Sequence, residues 1–457
     1  MDQRILIIGA GPAGMKAALT LHAHGHTPTI IDEAPASGGQ IFRRQPEGFR
    51  RSRRILYGFD ARRAGSLHAQ FDAIVGKIDY RPHTVVWDVT SDHVFTFDER
   101  RQCAERIDFD RLILATGATD RTIPIAGWTL PGVFTLGGAQ ICLKYQGCAI
   151  GRRVVFMGTG PLLYLVAYQY LKAGAKVAAV LDTSSLTDQI GATAALLADS
   201  RTFAKGLYFV ARIALAGVPI IRGITPIAMA GEAHVEAVRY KAGGREVEIP
   251  CDAVAFGFGL RSETQLHDLA GLTFHYDHAQ AQWLPDVDAD GRCAIPGLYV
   301  CGDGAGIRGA DACAIDGELA AWLLLEDIGQ RTDTARCAVL RRRLRKSAVF
   351  RSGIERAFPF PHHLEKTIPD DTIVCRCEAV SAGQIRQTVR DLGAIDINRA
   401  KAFSRAGMGR CQGRFCGLTA ASLVAAENGT DGGRFRCQPP IKPIPMDVTW
   451  NQGVDSQ

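Results

Sequence analysis

No apolar run in this 457-residue sequence reaches the ~18 residues that a membrane-spanning helix needs. The longest candidates are broken by charge or carry glycines in turn-like positions. A strand pattern starts at residue 4, which leaves no room for a signal peptide, so the expectation is a cytoplasmic chain with no transmembrane segment. Neither sign of charge dominates: 53 Lys and Arg stand against 47 Asp and Glu, a net of +6. With no helix-turn-helix or zinc-finger pattern beside that balance, nothing points to nucleic acid. Also lacking are a Ser–His–acid set, paired carboxylates in a shared motif and a cluster of metal-ligating histidines. No substrate-transforming centre is therefore legible, and no catalytic residue is assigned. HAHGH at 22–26 reads as the end of a helix, where the dipole favours histidine, and His362 and His363 read as exposed loop residues.

What is present is ordinary for a globular chain: 47% hydrophobic and 22% charged residues, at a length that suggests about three domains. The 49 glycines imply many tight turns and close backbone approaches. The 13 cysteines are scattered except for a C-terminal group. In a reducing cytosol scattered cysteines serve as small buried hydrophobes, and clustered ones as metal ligands or redox groups.

Residues 4–8 form a short apolar run, read as a buried parallel strand. Gly9, Ala10, Gly11, Pro12, Ala13 and Gly14 follow, then a helix-like stretch, then a second apolar run at 28–31 ending in Asp32 and Glu33. This is a complete βαβ nucleotide fingerprint. The first glycine permits the turn, the second lets backbone approach a pyrophosphate, and the third allows close helix–strand packing. The helix N-terminus holds phosphate, and an acid takes the ribose hydroxyls. Asp32 is the first choice for that acid and Glu33 the second. LILATGATDR (112–121) carries Ala115, Thr116 and Gly117 at a strand end, and IPGLYVCGDGAG (295–306) carries Gly302 and Asp303 at another. Both resemble the later signatures of two-dinucleotide-domain flavoproteins, which makes the expected nucleotide FAD. The resemblance gives Asp303, flanked by Gly302 and Gly304, the ribityl–pyrophosphate region.

Residues 152–182 repeat the βαβ pattern with a loop of Gly158, Thr159, Gly160, Pro161, Leu162 and Leu163. Leu163 replaces the third glycine, and Leu181 stands where counting along the sequence places the counterpart of Asp32, with Asp182 one later. These departures disfavour productive NAD(P) binding. A structural domain, or one holding ADP or ATP without hydride transfer, is the expectation. In the thiol-reductase branch a redox CxxC precedes this domain. Here Cys142 and Cys148 are six apart, which excludes disulfide reductase chemistry. Residues 188–219 read as an Ala- and Leu-rich helical pair, either half-solvated or part of a subunit interface.

Cys375-x-Cys377 and Cys411-x4-Cys416 close the chain's chemistry. Disulfides do not suit a reducing compartment. Zinc takes four cysteines, usually at C-x2–4-C spacing. A [2Fe–2S] cluster also takes four thiolates, and the glycines around RAGMGRCQGRFCG, with Arg410 and Arg414, suit an electron-rich cluster. Inert thiols are the remaining reading.

CRCE with RAGMGRCQGRFCG resembles the bacterioferritin-associated-ferredoxin-like (BFD-like) [2Fe–2S] domain. With SGGQIFRR (37–44), GTGPLL and the QPPIKPIP tail, nearly the whole chain resembles the α (A) subunit of heteromeric flavin-dependent amine dehydrogenases. These include opine oxidases, hydroxyproline and proline dehydrogenases, and hydrogen cyanide synthase. The resemblance implies an α/β two-dinucleotide-domain flavoprotein carrying FAD, with Gly39 and Gln40 among the cofactor residues. It implies a [2Fe–2S] cluster on Cys375, Cys377, Cys411 and Cys416. It also implies substrate oxidation on a partner β subunit of amino-acid-oxidase-like fold, FMN at a subunit interface, and a small ferredoxin-like γ subunit. The basic blocks FRRQPEGFRRSRR (42–54) and LRRRLRK (340–346) are solvated faces, or one of them meets a flavin phosphate or an acidic partner. Expected divisions are 1–120 with 256–330 for FAD, 121–255 for the inserted domain, 331–370 for a linker, 371–435 for the cluster domain and 436–457 for an extended tail.

Overall fold

In the computed structural model, which describes residues 3–49 and 51–450, Ile5–Ile8 is a strand with all four side chains buried. A run apolar on both faces belongs inside a parallel sheet. It lies between Thr29–Ile31 and Arg111–Leu114, with Asp79–Arg81 and Leu298–Val300 at the two edges, all parallel. Arg153–Thr159 takes the same central place in a second parallel sheet. Its neighbours are Lys176–Asp182 and Ala253–Phe258, and Ile220–Arg222 and Val133–Thr135 form the edges. Each half adds three antiparallel strands: Thr84–Val89, His93–Asp98 and Cys103–Asp108 in the first, Thr225–Ala230, Ala237–Ala242 and Arg245–Pro250 in the second. The internal repeat therefore extends well beyond the βαβ units read from the sequence.

The halves are joined through an antiparallel pair, Ala118–Asp120 with Leu260–Ser262. Ala253–Phe258 lies wholly in the second sheet, so the return expected at 256 falls inside a strand, and the chain crosses back at Gly259, φ +90°.

Where charge and composition predict a linker at 331–370, Thr334–Ala357 is a 24-residue helix. Asp333 caps it by accepting the Arg336 N–H at 2.8 Å, and Arg, Leu and Ala favour helix through its length. Cys337, Leu340, Gly353 and Ala357 are buried along it. A Cβ on Gly353 would lie 3.1 Å from the Ala195 side chain, so this helix packs on the segment after the second βαβ unit. That segment holds three helices rather than a pair: Leu186–Gly191, Thr193–Leu196 and Ser200–Leu215. Only Ile213 of the last is buried, and Leu207, Tyr208 and Leu215 are exposed.

The C-terminal unit pairs Ile373–Cys375 with Val380–Ser381 and packs Ala382–Arg390, Ile397–Ser404 and Gly417–Asn428 around Ile385, Ile397, Leu423 and Val424. The tail then runs back over the first half. Ile441 is buried with its N–H on the Trp87 carbonyl, and Thr449–Trp450 extends the antiparallel sheet beside Cys103 and Ala104. The last seven tail residues lie outside the described residues, as does Arg50 of the first basic block. Among the described residues no helix is long and apolar enough to cross a membrane.

Candidate flavin and iron–sulfur sites

Gly9 sits at φ +105°, and a Cβ there would lie 2.3 Å from the Ala115 carbonyl oxygen. A Cβ on Gly14 would lie 1.8 Å from the Gly9 carbonyl oxygen, so the helix Pro12–Ala23 can rise directly off the strand only with glycine at both places. Gly11 is the N-cap and has no side-chain cap bond, and Pro12 occupies the first turn. The first-turn N–H groups are thus left for an external anion. Gly39 packs on this loop, where a Cβ would lie 2.9 Å from Gly11 Cα. Gln40 is exposed and accepts from Arg43 Nη2 at 2.7 Å.

Asp32 accepts the Ala10 N–H on Oδ2 and the Ala34 N–H, at 2.7 Å, on Oδ1. Burial raises its pKa, and these two bonds oppose the rise. Glu33 is exposed and ion-paired with Lys442 of the tail. Asp32 therefore meets the glycine loop and Glu33 meets the tail. Burial pushes Lys442 down to about 8, with Asp32 acting against it.

The turn Gly302–Ala305 and the helix Ala310–Asp327 are brought to the same place by one close approach. A Cβ on Gly317 would lie 2.0 Å from the Ala13 carbonyl oxygen, and one on Gly302 would lie 3.0 Å from Ala13 Cβ. Asp303 Oδ1 accepts the N–H groups of Arg308 at 2.7 Å and Gly309 at 3.0 Å, while Oδ2 accepts from no described residue. A Cβ on Gly304 would lie 2.8 Å from Thr116 Oγ1, which donates to the Glu263 carbonyl at 2.6 Å. The Gly117 carbonyl accepts the Glu263 N–H. The fold thus gathers Gly9, Gly11, Pro12, Ala13, Gly14, Asp32, Gly39, Ala115, Thr116, Gly302 and Asp303 around one cradle. An uncapped helix end, close backbone approaches and one free carboxylate oxygen fit a dinucleotide of FAD type.

Gly158 lies near the tip of the central strand of the second sheet and Gly160 caps the helix that follows it, apart from this cradle. There the register corrects the sequence count. Ile8 pairs with Ile31 before Asp32, and Met157 pairs with Leu181 before Asp182, so Asp182 is the counterpart of Asp32. A register shift between Val154 and Val155 absorbs the extra residue that made Leu181 look equivalent. The carboxylate of Asp182 is fully engaged. Tyr164 Oη donates to it at 2.6 Å, Ser184 N–H and Oγ each at 2.8 Å, and Gln189 Nε2 at 3.2 Å. The loop also turns differently, with Gly160 at φ +103° where Gly11 is extended.

The four C-terminal thiols face one another as two couples. Cys375 is pushed down to about 6, first by the Cys416 thiol and then by N–H groups of Gly407, Glu378 and Cys377. Burial pushes the Cys377 thiol up, with Cys411 beside it. Cys375 and Cys416 are buried and Cys377 is exposed. A Cβ on Gly409 would lie 2.4 Å from Cys377 Cβ, so the Gly409 backbone packs against the base of this side chain. Among the described residues no three His, Cys, Asp or Glu side chains converge to hold a single metal ion. Tetrahedral zinc wants four thiolates on one centre. Two thiol couples fit a [2Fe–2S] cluster, which spreads four thiolates over two irons.

Between cradle and thiols lie residues 261–269, which sequence reasoning missed. Arg261 Nη1 donates to the Arg414 carbonyl at 2.8 Å, Gln265 Nε2 to the Gln412 carbonyl at 2.6 Å, and Arg414 Nε to Glu263 Oε2 at 2.9 Å. Arg414 also donates to the carbonyls of Cys411, at 3.3 Å, and Ile441, at 2.7 Å. His267 is fully buried, and neither ring nitrogen has a partner among the described residues. Burial pushes it down to about 3, and a Cβ on Gly304 would lie 3.3 Å from its ring. The local signal was present: RSETQLHDL packs an arginine, two acids and a histidine directly after a glycine turn.

The profile of the pyridine nucleotide-disulphide oxidoreductase family matches residues 3–322, and that of the BFD-like [2Fe-2S] binding domain matches residues 373–426. The A subunit of opine oxidase from Agrobacterium tumefaciens (strain Ach5) is 36% identical over 464 residues, covering 96% of this chain and 90% of the relative. Hydrogen cyanide synthase subunit HcnB of Pseudomonas aeruginosa is 31% identical over 471 residues and covers all of both chains. The crystal structure of L-proline dehydrogenase from P. horikoshii superposes with a TM-score of 0.71 at 21% identity, over 97% of this chain and 78% of that one. The chain belongs to the pyridine nucleotide-disulphide oxidoreductase family, among its opine oxidase A and HcnB-type members, as a flavin-dependent oxidoreductase that carries FAD and a C-terminal [2Fe–2S] domain.

Proposed function

We propose that this chain is the electron-transfer subunit of a cytoplasmic heteromeric dehydrogenase. Its substrate is a secondary amine or amino acid, of the opine (octopine or nopaline) or hydroxyproline kind. That substrate is oxidised on a partner β subunit of amino-acid-oxidase-like fold. An FMN at a subunit interface and a small ferredoxin-like γ subunit belong to the same reading. When bound, a flavin accepts two electrons together and a [2Fe–2S] cluster passes them singly, so one chain holding both converts between the two modes. The observation that carries the reading is the bridge itself. Thr116 and Gly117 of the flavin cradle hold Glu263, and Glu263 holds Arg414, between Cys411 and Cys416. The thiol loop is thereby fixed to the cradle by polar contacts within one chain. The Gly407 N–H donates to the Cys375 sulfur at 3.4 Å, a bond of the kind that favours a cluster's thiolate ligand.

The opine oxidase relatives are named as one component of a multi-subunit enzyme, which supports the heteromeric assembly. The HcnB likeness favours glycine, oxidised to cyanide, as a second substrate reading. An NAD(P)H-driven oxidoreductase is less well supported, because Asp182 is already satisfied by protein donors. ADP or ATP held without turnover in the second half remains compatible with that arrangement. Co-purification with the product of the adjacent reading frame, followed by a dye-reduction screen over opines, prolines and glycine, tests the proposal. Reduction by an opine or hydroxyproline, only with the partner present, is expected. Rapid bleaching of the isolated chain by NADH would overturn it.

A further inference from the structure

The tail crosses from the thiol loop to the first half as a strap held at several points. The Cys437 N–H donates to Asp268 Oδ2 at 2.6 Å, and the Ile441 carbonyl accepts from Arg414 Nη1 at 2.7 Å. Ile441 is buried, and its N–H donates to the Trp87 carbonyl at 3.1 Å. The strand that carries Trp87 begins at Thr84, whose N–H donates to the Asp32 carbonyl at 3.0 Å. The next tail residue, Lys442, is thereby delivered to the end of the strand Thr29–Ile31, where it ion-pairs with Glu33.

By the layout of the βαβ fingerprint, the end of that strand is the ribose end of the dinucleotide cradle. Asp32, which holds the Ala10 N–H of the glycine loop, also feels the Lys442 charge. An ammonium carries three N–H donors. Among the described residues only the Glu33 carboxylate accepts from this one. The Lys442 side chain is 28% exposed and that of Glu33 is 52% exposed, so the carboxylate offsets only part of the solvation that the ammonium has lost. Oxygen atoms of a ligand in the cradle would supply the acceptors that are missing.

We propose that Lys442 is a nucleotide-binding residue: the tail closes over the ribose end of the dinucleotide, and Lys442 donates to its ribose or adjoining phosphate oxygens. Because Arg414 holds the carbonyl just before Lys442, the same strap ties a filled cradle to the seat of the thiol loop. The proposal rests on the flavin cradle described above and is independent of which amine is oxidised.

Linkage makes the coupling reciprocal: by whatever factor the strap tightens FAD, FAD must tighten the strap. The full chain is purified with its flavin, stripped of it with bromide and refilled with FAD. Lys442→Met should raise the FAD dissociation constant by about tenfold or more, the worth of one charge-assisted bond, and Lys442→Arg by less. Refilling the wild-type chain should slow hydrogen exchange over residues 437–450 by a similar factor, a measurement that needs no variant. If Lys442 serves only to neutralise Glu33, then Lys442→Met changes nothing in a Glu33→Gln background; the proposal requires the loss of FAD affinity to persist there. Melting temperature reports that each variant is folded. Unchanged FAD affinity in folded Lys442→Met, an effect that vanishes with Glu33→Gln, or tail exchange indifferent to FAD would each overturn the strap and leave the cradle standing. Full flavin occupancy in Gly9→Ala would overturn the cradle, and the strap with it.

Discussion

Truncating Arg414 to alanine leaves the Glu263 carboxylate without its partner at a seam where both side chains are nearly buried, at 11% and 14% exposure. It also removes the donors that hold the Cys411 and Ile441 carbonyls. Breaking a buried pair by deleting one member costs about 3–5 kcal/mol, most of it the stranded charge. The lost neutral bond to Ile441 adds about 1 kcal/mol. If the stranded carboxylate is the main term, deleting both charges must cost less than the two single deletions summed. The Arg414→Met, Glu263→Leu double variant should recover about 2 kcal/mol of that sum. Urea unfolding of the anaerobically purified chain, followed at the visible band of the iron site, gives the cycle, with iron content measured for each variant. A coupling energy below about 0.5 kcal/mol would refute the bridge as the docking element. So would a fully docked Arg414→Ala chain that has simply lost its iron.

Gly9→Ala places a Cβ 2.3 Å from the Ala115 carbonyl oxygen at a φ of +105°, so the purified chain should lack its yellow chromophore; full flavin occupancy would show that the cradle lies elsewhere. Asp182→Ala strands Tyr164, Ser184 and Gln189 donors, and should cost about 3 kcal/mol in denaturant unfolding without altering NADH titration. Lys144→Met, at a lysine only 7% exposed in the π-helical turn Cys142–Gln146, should stabilise the protein. Its folded pKa, about 8, lies below the usual 10.5, so the unfolded chain binds the extra proton between these values. The penalty is therefore full below pH 8 and fades as pH rises toward 10.5, so the gain over wild type should be about 3 kcal/mol at pH 7 and shrink above pH 8. A flat difference across that range would contradict the assignment.

The first βαβ unit was legible because every signal in it is local: strand, glycines, helix and acid within 30 residues, with Gly14 and Asp32 both set against the glycine loop. The four C-terminal cysteines stood out by residue type and spacing, while their domain was legible through its resemblance, matched over residues 373–426. The second unit misled because the equivalence of two acids depends on strand register. A shift at Val154 and Val155 moves Asp182 into the place of Asp32, and no residue there announces it. Residues 331–370 misled because a run of arginines without interleaved acids reads as a charged linker, whereas Cys337, Leu340, Gly353 and Ala357 bury one side of a helix. The pairing of Arg414 with Glu263 spans 151 residues, and such a contact has no sequence signal at all.

The two halves share one layout, yet the second spends its acid internally, and its apolar surface shows what it does instead. One buried cluster runs from Val155, Met157 and Phe256 of the second sheet through Trp128 to Val374, Ile385 and Leu423 of the C-terminal unit. Trp128 Nε1 donates to the Ile373 carbonyl at 2.6 Å across that join, and Arg376 lies over the Trp128 and Phe415 rings. Apolar burial supplies the adhesion there, at roughly 25 cal/mol per Å². The polar bridge from residues 261–269 supplies orientation, since directional bonds fix a register that apolar contact leaves free. The repeat has thus been divided between two tasks: one copy keeps its glycine loop uncapped for a dinucleotide, and the other is the platform that holds the thiol loop against it. Weakening the platform at Trp128 should therefore loosen the thiol unit while leaving the flavin cradle intact. Trp128→Ala should lower the urea midpoint at the iron band and leave the flavin band in place, whereas parallel loss of both would mean that the halves do not divide the work.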